Sequence, residues 1–206
     1  MSLRTAFFLL ILGVLAGCSG ADDEVAKTPI KYDVIIVPTE EFPASEVIKV
    51  ATTVANETGL QIKVMLPLGT RDWKPFLDRP QYDPDALMTL ASPVIERLKT
   101  NYGGKVYIIL TSRDIGPPDK SLNFGFTQHD HLRKISVASV ARMLFDQQGR
   151  QVAPDVIQMR LRKILLRAIA LQYYELQRST DITDVTYSPL MSVLCLDQMG
   201  TRIKTQ

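Results

Sequence analysis

Few side chains in this chain can hold a metal or attack a substrate: His129 and His131 are its only histidines, and Cys18 and Cys195 its only cysteines. A three-histidine zinc centre and a four-cysteine zinc knot each need more ligands than that, and two cysteines make no disulfide framework. His129-Asp130-His131 is the one local cluster of metal-competent groups. In an extended strand residues i and i+2 project from the same face, so a metal gripped there would take a carboxylate as third ligand. The other reading of the stretch is a solvent-exposed loop, since Gln128, Arg133 and Lys134 make it polar on both sides. Cys195 lies among Val193, Leu194 and Leu196 with no candidate base beside it, the setting of a buried structural thiol. With no G-x-S-x-G and no glycine-rich phosphate loop, serine-hydrolase and nucleotide chemistry have no basis.

The elements that must position these groups alternate between strand and helix. Tyr32 to Pro38 and Leu60 to Leu66 read as strands, and between them Val47, Val50, Ala51, Val54 and Ala55 recur at helical spacing, with Pro43 near the start and Gly59 at the stop. Pro67 to Gln81 reads as a long surface loop around Trp73. Asp83-Pro84 then opens a second helix as cap and first residue, which Pro93 should kink or restart with Ser92 as a new cap. Lys105 to Thr111 is the strongest strand, followed by Leu122 to Thr127 and Ile135 to Val140. Asp155 to Gln177 is the dominant helix. Its stretch Ile164 to Leu171 is apolar on nearly every side except at Arg167, which describes a helix buried all round. A length of 206 residues, 46% hydrophobic and 22% charged, suits one globular core. Lysine plus arginine (24) against aspartate plus glutamate (22) leaves +2, which gives a nucleic-acid partner no electrostatic support.

The N-terminus reads as an address. Arg4 and the apolar run Ala6 to Ala16 have the layout of a secretory signal, too short to span about 30 Å of hydrocarbon. Leu15-Ala16-Gly17-Cys18 resembles the lipobox of bacterial lipoproteins, which implies a signal peptide over 1–17, lipid attachment at Cys18, and a mature chain beginning there. Residues 18–31 then form a flexible tether and 32–206 the folded domain. Ser19 after the lipidated cysteine resembles the sorting signal for the outer membrane, facing the periplasm.

Arg79-Pro80-Gln81-Tyr82-Asp83, Thr111-Ser112-Arg113-Asp114-Ile115, Leu122-Asn123-Phe124-Gly125-Phe126 and Ser136 to Met143 (SVASVARM) follow one another along the chain. In that order and spacing, over Tyr32 to Ser192, they resemble the archaemetzincin-like metallopeptidases. The resemblance implies a single compact α/β metzincin-like domain, a mixed β-sheet with a long central buried helix under a cleft. That helix in the family carries H-E-x-x-H-x-x-G-x-x-H-C: three histidines hold zinc, the glutamate is general base, and the glycine lets the chain turn. With Lys163 set against a basic residue four before the first histidine, that histidine falls on Arg167. The glutamate then falls on Ala168, the second histidine on Leu171, the glycine on Tyr174, the third histidine on Gln177 and the cysteine on Arg178. No other register restores the site, because Asp155 to Gln206 contains no histidine. A guanidinium about 4 Å from a divalent cation would be repelled by roughly 8 kcal/mol at an effective dielectric of ~20. Met191 matches the methionine of the family's Met-turn, with Pro189 where a structural-zinc cysteine would stand; it is equally readable as core methionine.

Arg167 must find an anionic or carbonyl partner or reach water. It either fills the space of the zinc, pairing with an acid such as Asp114, or snorkels to the surface. Glu175 is either a displaced base or an exposed helix-end residue, and Tyr173 and Tyr174 either line the cleft or pack. The expectation is a lipid-anchored envelope protein with a catalytically inactive peptidase-like domain and no cofactor, whose cleft binds a peptide or envelope protein at a sheet edge. The alternatives are a zinc-dependent metallopeptidase rebuilt around His129 and His131, and a structural lipoprotein without a specific ligand, for which an absent cleft would be the sign.

Overall fold

A computed structural model describes residues 31–119 and 125–203; the signal, Cys18, the tether up to residue 30 and residues 120–124 lie outside them. The chain runs β1 (Val34–Pro38), α1 (Ala44–Thr58), β2 (Ile62–Val64), α2 (Pro84–Tyr102), β3 (Val106–Thr111), β4 (Thr127–Asp130), β5 (Ile135–Ser139), a 3-10 turn (Ala141–Leu144), α3 (Pro154–Gln172) and α4 (Val193–Gln198). The sheet has the order β2-β1-β3-β5-β4, parallel except for β4, which pairs antiparallel with β5 at the edge. This is the mixed sheet expected. β1 and β3 are buried along their whole length, as parallel strands covered on both faces must be. Val34, Ile36, Ile108 and Leu110 face α1 and α3, and Ile35, Val37, Tyr107 and Ile109 face α2. Among the described residues no helix is long and apolar enough to cross a membrane.

The local signals act where they stand. Gly59 and Gly103 close α1 and α2 at φ of 70° and 61°, a left-handed conformation that glycine adopts at no steric cost. Asp83 caps α2 by accepting from Asp85 N at 2.9 Å. Three expectations are corrected. α2 runs through Pro93 as one helix, and Ser92 is no second cap, since its hydroxyl donates to Met88 O at 2.9 Å. Of the strand expected at Leu122 to Thr127, residues 122–124 lie outside the described residues; Gly125 and Phe126 precede β4, which runs from Thr127 to Asp130. α3 ends at Gln172, five residues short of Gln177.

The loop 67–83 is tied down rather than loose. Trp73 is 3% exposed and its indole donates to Asp83 O at 2.8 Å; Arg113 lies over the Trp73 and Tyr82 rings at 5.5 and 5.0 Å. Tyr82 N donates to Asp114 O at 2.9 Å, and Gly116 N to Tyr82 O at 3.2 Å. A Cβ on Gly116 would lie 2.9 Å from Gln81 Oε1. The two stretches Arg79 to Asp83 and Thr111 to Ile115 thus form one knot at the ends of β1 and β3. Beneath it, Thr39 and Thr111, both fully buried, each donate to Glu41 at 2.7 Å. Burial pushes the Glu41 carboxyl up, but these bonds and the charge of Arg113 outweigh it and hold it below its ordinary value.

α3 carries a stripe of buried cations at i, i+3 and i+7: Arg160, Lys163 and Arg167. The C-terminal segment receives them. Arg160 makes a two-pronged pair with Asp197, each bond 2.7 Å, and donates to Met143 O and Phe145 O. Lys163 donates to Leu196 O at 3.0 Å and to Asp197 O. Burial pulls the Lys163 ammonium below its ordinary value. Asp197→Ala would strand the guanidinium of Arg160, which is 2% exposed, and is expected to cost about 3 kcal/mol, read as a lower urea midpoint at unchanged slope.

Candidate functional site

Arg167 is 4% exposed, so it does not reach bulk water. Neither does it pair with Asp114. That carboxylate is held by Arg142, through Nε at 3.0 Å and Nη2 at 2.5 Å, and by Gln81 Nε2 at 3.2 Å. Arg167 instead donates through Nη1 to Tyr187 O at 2.7 Å, and its Nε is buried without a partner. Burial, then the charge of Arg178, pull the guanidinium down to about 10, leaving it charged at neutral pH.

The period-two alternation of β4 puts His129 opposite Ser136, on the α3 side of the sheet. The structure corrects the exposed-loop reading here: His129 belongs to a strand and is only partly exposed. Its Nδ1 lies 2.8 Å from Ser136 Oγ, while Nε2 is buried with no partner. If Ser136 donates to Nδ1, the proton sits on Nε2 and makes it an unanswered donor. Burial, then the positive charges of Arg167, His131 and Arg178, pull this imidazole down to about 3. His131 projects nearby, its ring centroid 6.2 Å from that of His129.

Between the β4–β5 turn and the segment after α3 lies an open cleft of about 550 Å³, lined by His131 and Lys134 on one side and by Leu171, Glu175, Gln177 and Arg178 on the other. Lys134 spans it, donating to Gln172 O at 3.2 Å, where it meets the negative end of α3, and pairing with Glu175 at 2.5 Å. Gln172 holds β4 against the helix by donating to Asp130 O and Ile135 O at 3.2 and 3.3 Å, while its Oε1 is buried without a donor.

Of the positions matched to the family motif, Ala168 is fully buried, and Leu171 (3% exposed) and Gln177 face the cleft. Tyr174 lies elsewhere, beside Leu166 and Thr58, and Tyr173 donates to Asp33 Oδ1 at 2.9 Å; neither tyrosine lines the cleft. Glu175 is an exposed residue beyond the end of α3 and carries the turn, with φ of 55°. The left-handed bend therefore falls one residue after Tyr174. Counted from that bend, the motif's three ligand positions fall on Ala168, Gln172 and Arg178, and neither count yields a zinc-binding triad. Met191 is 50% exposed, so it is not core methionine, and it is not among the residues lining the cleft. Cys195 is half-buried rather than buried, with Ser192 Oγ 3.3 Å from its sulfur.

The donor set of the described residues around this cleft does not suit zinc. Among the described residues no three His, Cys, Asp or Glu side chains come together as a metal-binding group, and the buried nitrogen of His129 that could ligate lies in the repulsive field of Arg167 and Arg178. Sequence reasoning singled out Arg167, used Lys163 only to set the register of the motif and missed Arg160, although the helical spacing of the three is visible. It also assigned Arg178 no role beyond a lost cysteine.

No protein-family model matches the sequence, and no curated protein matches it either. Solved structures do match. An archaemetzincin from Methanopyrus kandleri is similar over 83% of this chain and 88% of its own, at 24% identity and a TM-score of 0.61. A zinc-dependent peptidase from Methanocorpusculum labreanum is similar over 83% and 95%, at 13% identity and a TM-score of 0.70. An archaemetzincin from Archaeoglobus fulgidus, complexed with malonate, is similar over 82% and 92%, at 18% identity and a TM-score of 0.58. The fold is thus that of the archaemetzincin-like α/β domains.

The low basicity of His129 has a measurable consequence. Between pH 6.5 and about 3 the unfolded chain takes up a proton that the folded chain refuses, so stability present above pH 6.5 is lost as pH falls. The slope approaches roughly 1.4 kcal/mol per pH unit. Urea midpoints at pH 7, 6 and 5 are expected to fall in the parent and to fall less in His129→Asn; parallel curves would contradict this.

Proposed function

We propose that this chain is a lipid-anchored protein of the bacterial cell envelope, held by Cys18 in the outer membrane facing the periplasm. Its peptidase-like domain does not catalyse hydrolysis and binds a peptide or an extended segment of an envelope protein. The observation that carries this reading is the buried helix α3. Where the similar peptidases' family places a histidine-glutamate zinc motif, this helix presents Arg167, Ala168, Leu171 and Gln172, all buried. A hydrolase of that family needs a bound cation and a carboxylate base; a guanidinium and an alanine supply neither.

Binding is favoured over a purely structural role by what remains beside the helix. The cleft of about 550 Å³ is open, and β4 is the edge strand of the sheet, whose outer backbone groups can pair with an extended ligand. The lipid anchor is supported by the sequence alone, through Leu15-Ala16-Gly17-Cys18 and the apolar run before it. A diacylglyceryl group with an amide-linked chain would anchor stably, at about 0.8 kcal/mol per buried methylene.

The test is elemental analysis of the full chain, produced without a histidine tag and dialysed against micromolar zinc, alongside a peptidase assay on unstructured peptides. Substoichiometric zinc and no turnover are expected. Near one equivalent of zinc, lost together with turnover on changing His129 or His131, would establish the rebuilt metallopeptidase instead.

A further inference from the structure

The charges around the cleft do not balance, and the surplus has a place and a sign. The acidic residue in its lining, Glu175, already pairs with Lys134, and Asp130, next to His131 in the chain, pairs with Arg133. Two arginines are not so paired among the described residues. Arg178 lines the cleft, is exposed, and among the described residues has no acidic partner. Arg167 stands on α3 one turn before Leu171, which lines the cleft. It is 4% exposed, and it answers its charge with one carbonyl while its Nε–H stays unpaired. A buried guanidinium without a counter-charge is costly, and the bond seen for Arg167 among the described residues goes to a carbonyl rather than a carboxylate. Another orphaned nitrogen, His129 Nε2, lies on the same side of the sheet.

Resting on the peptide-binding reading above, we propose that this cleft receives the carboxylate of a peptide, with Arg178 and His131 meeting it at the rim and Arg167 supplying the buried positive charge behind them. The surroundings favour a peptide over a bare ion. The cleft holds far more than one anion, Leu171 and Leu176 form part of its wall, and Leu132, at the tip of the β4–β5 turn, is 98% exposed. A carboxylate flanked by an apolar side chain matches that combination of charge and exposed leucine. The carboxylate can come from a free C-terminus or from an acidic side chain.

The experiment follows arginine Nε–H and histidine ring resonances of the isotope-labelled full chain by NMR. Four probes are titrated separately: sodium acetate, the tetrapeptide acid Ala-Ala-Ala-Leu, its C-terminal amide, and that amide with glutamate in the third position. Saturable shifts at Arg167 and Arg178 are expected with a carboxylate-bearing peptide, and about tenfold weaker binding after Arg178→Gln, the loss of one charge-assisted hydrogen bond. Arg178 is exposed, so this variant keeps the fold; Arg167→Lys, which keeps the charge and loses the planar donors, is expected to weaken binding comparably. Preference for the acid assigns the site to chain termini, and preference for the glutamate amide assigns it to acidic side chains. Equal affinity for the acid, the glutamate amide and the plain amide, or no effect of Arg178→Gln, overturns the carboxylate proposal while leaving a peptide-binding cleft. Shifts with acetate but with no peptide overturn it by removing the peptide reading itself, and shifts with none of the four probes overturn both.

Discussion

Three buried cations on one face of α3 set the terms for the rest of the molecule. A helix enclosed on every side would be cheapest to build from apolar residues, and a charge placed there must be met by groups fixed in geometry. The chain meets the requirement from its own C-terminal segment. Asp197 neutralises Arg160, the carbonyls of Leu196 and Asp197 hold Lys163, and the carbonyl of Tyr187 holds Arg167. Valine, leucine and methionine at 185, 196 and 199 are buried in the same core, so the segment packs because its polar backbone has donors waiting. The supply of counter-charge thins along the stripe, from a two-pronged ion pair at Arg160 to a single carbonyl at Arg167, and the helix then opens onto the cleft.

The opposite end of the sheet follows the same logic with the sign reversed. Chains leaving β1 and β3 diverge to opposite sides of the sheet, which leaves a crevice at their carboxyl ends, the place where open α/β sheets usually bind ligands. Here it is filled. Glu41 accepts from two buried threonines, Arg113 lies against two aromatic rings, and Gln81 and Arg142 hold Asp114. Arg79 in that knot donates to Pro117 O and lies over the Phe76 ring at 4.1 Å, with its Nε buried and unpaired. At the α3 end stands a buried guanidinium held by a carbonyl alone, close to an open cleft, and the functional reading rests there.

The fold was legible because its signals are local. Buried β-branched runs gave the three central strands, Gly59 and Gly103 marked helix ends, and Asp83-Pro84 announced α2. The errors came from residues whose behaviour is decided by distant partners. Trp73 looks like a loop residue until Asp83 O and Arg113 enclose it, and Pro93 fits inside α2 because the helix is held by Leu87, Met88, Ala91 and Ile95 in the core. Arg167 could be recognised as anomalous from its apolar neighbours, yet its acceptor is a backbone carbonyl twenty residues on, and carbonyls leave no mark in a sequence. For the same reason the length of α3 was overestimated: apolar spacing continues past Gln172, but Glu175 takes a left-handed turn that periodicity does not encode.

A likeness of fold at 13–24% identity preserves the frame of a cleft without preserving what the cleft attracts. The sign of the field decides that. A divalent metal at the end of a helix draws in a carbonyl or carboxylate oxygen and polarises it; a guanidinium in the same region draws in the same kind of oxygen and does no chemistry on it, because its proton is held too firmly to transfer at neutral pH. On the proposed reading, Arg167 and Arg178 in place of a metal motif would remove the reaction while keeping the preference for an oxygen-bearing ligand. On that argument a chain that has lost the zinc triad need not have lost its ligand class. Under that proposal it would retain the part of peptide recognition that depends on positive charge and an open sheet edge, and lose the part that depends on a Lewis acid.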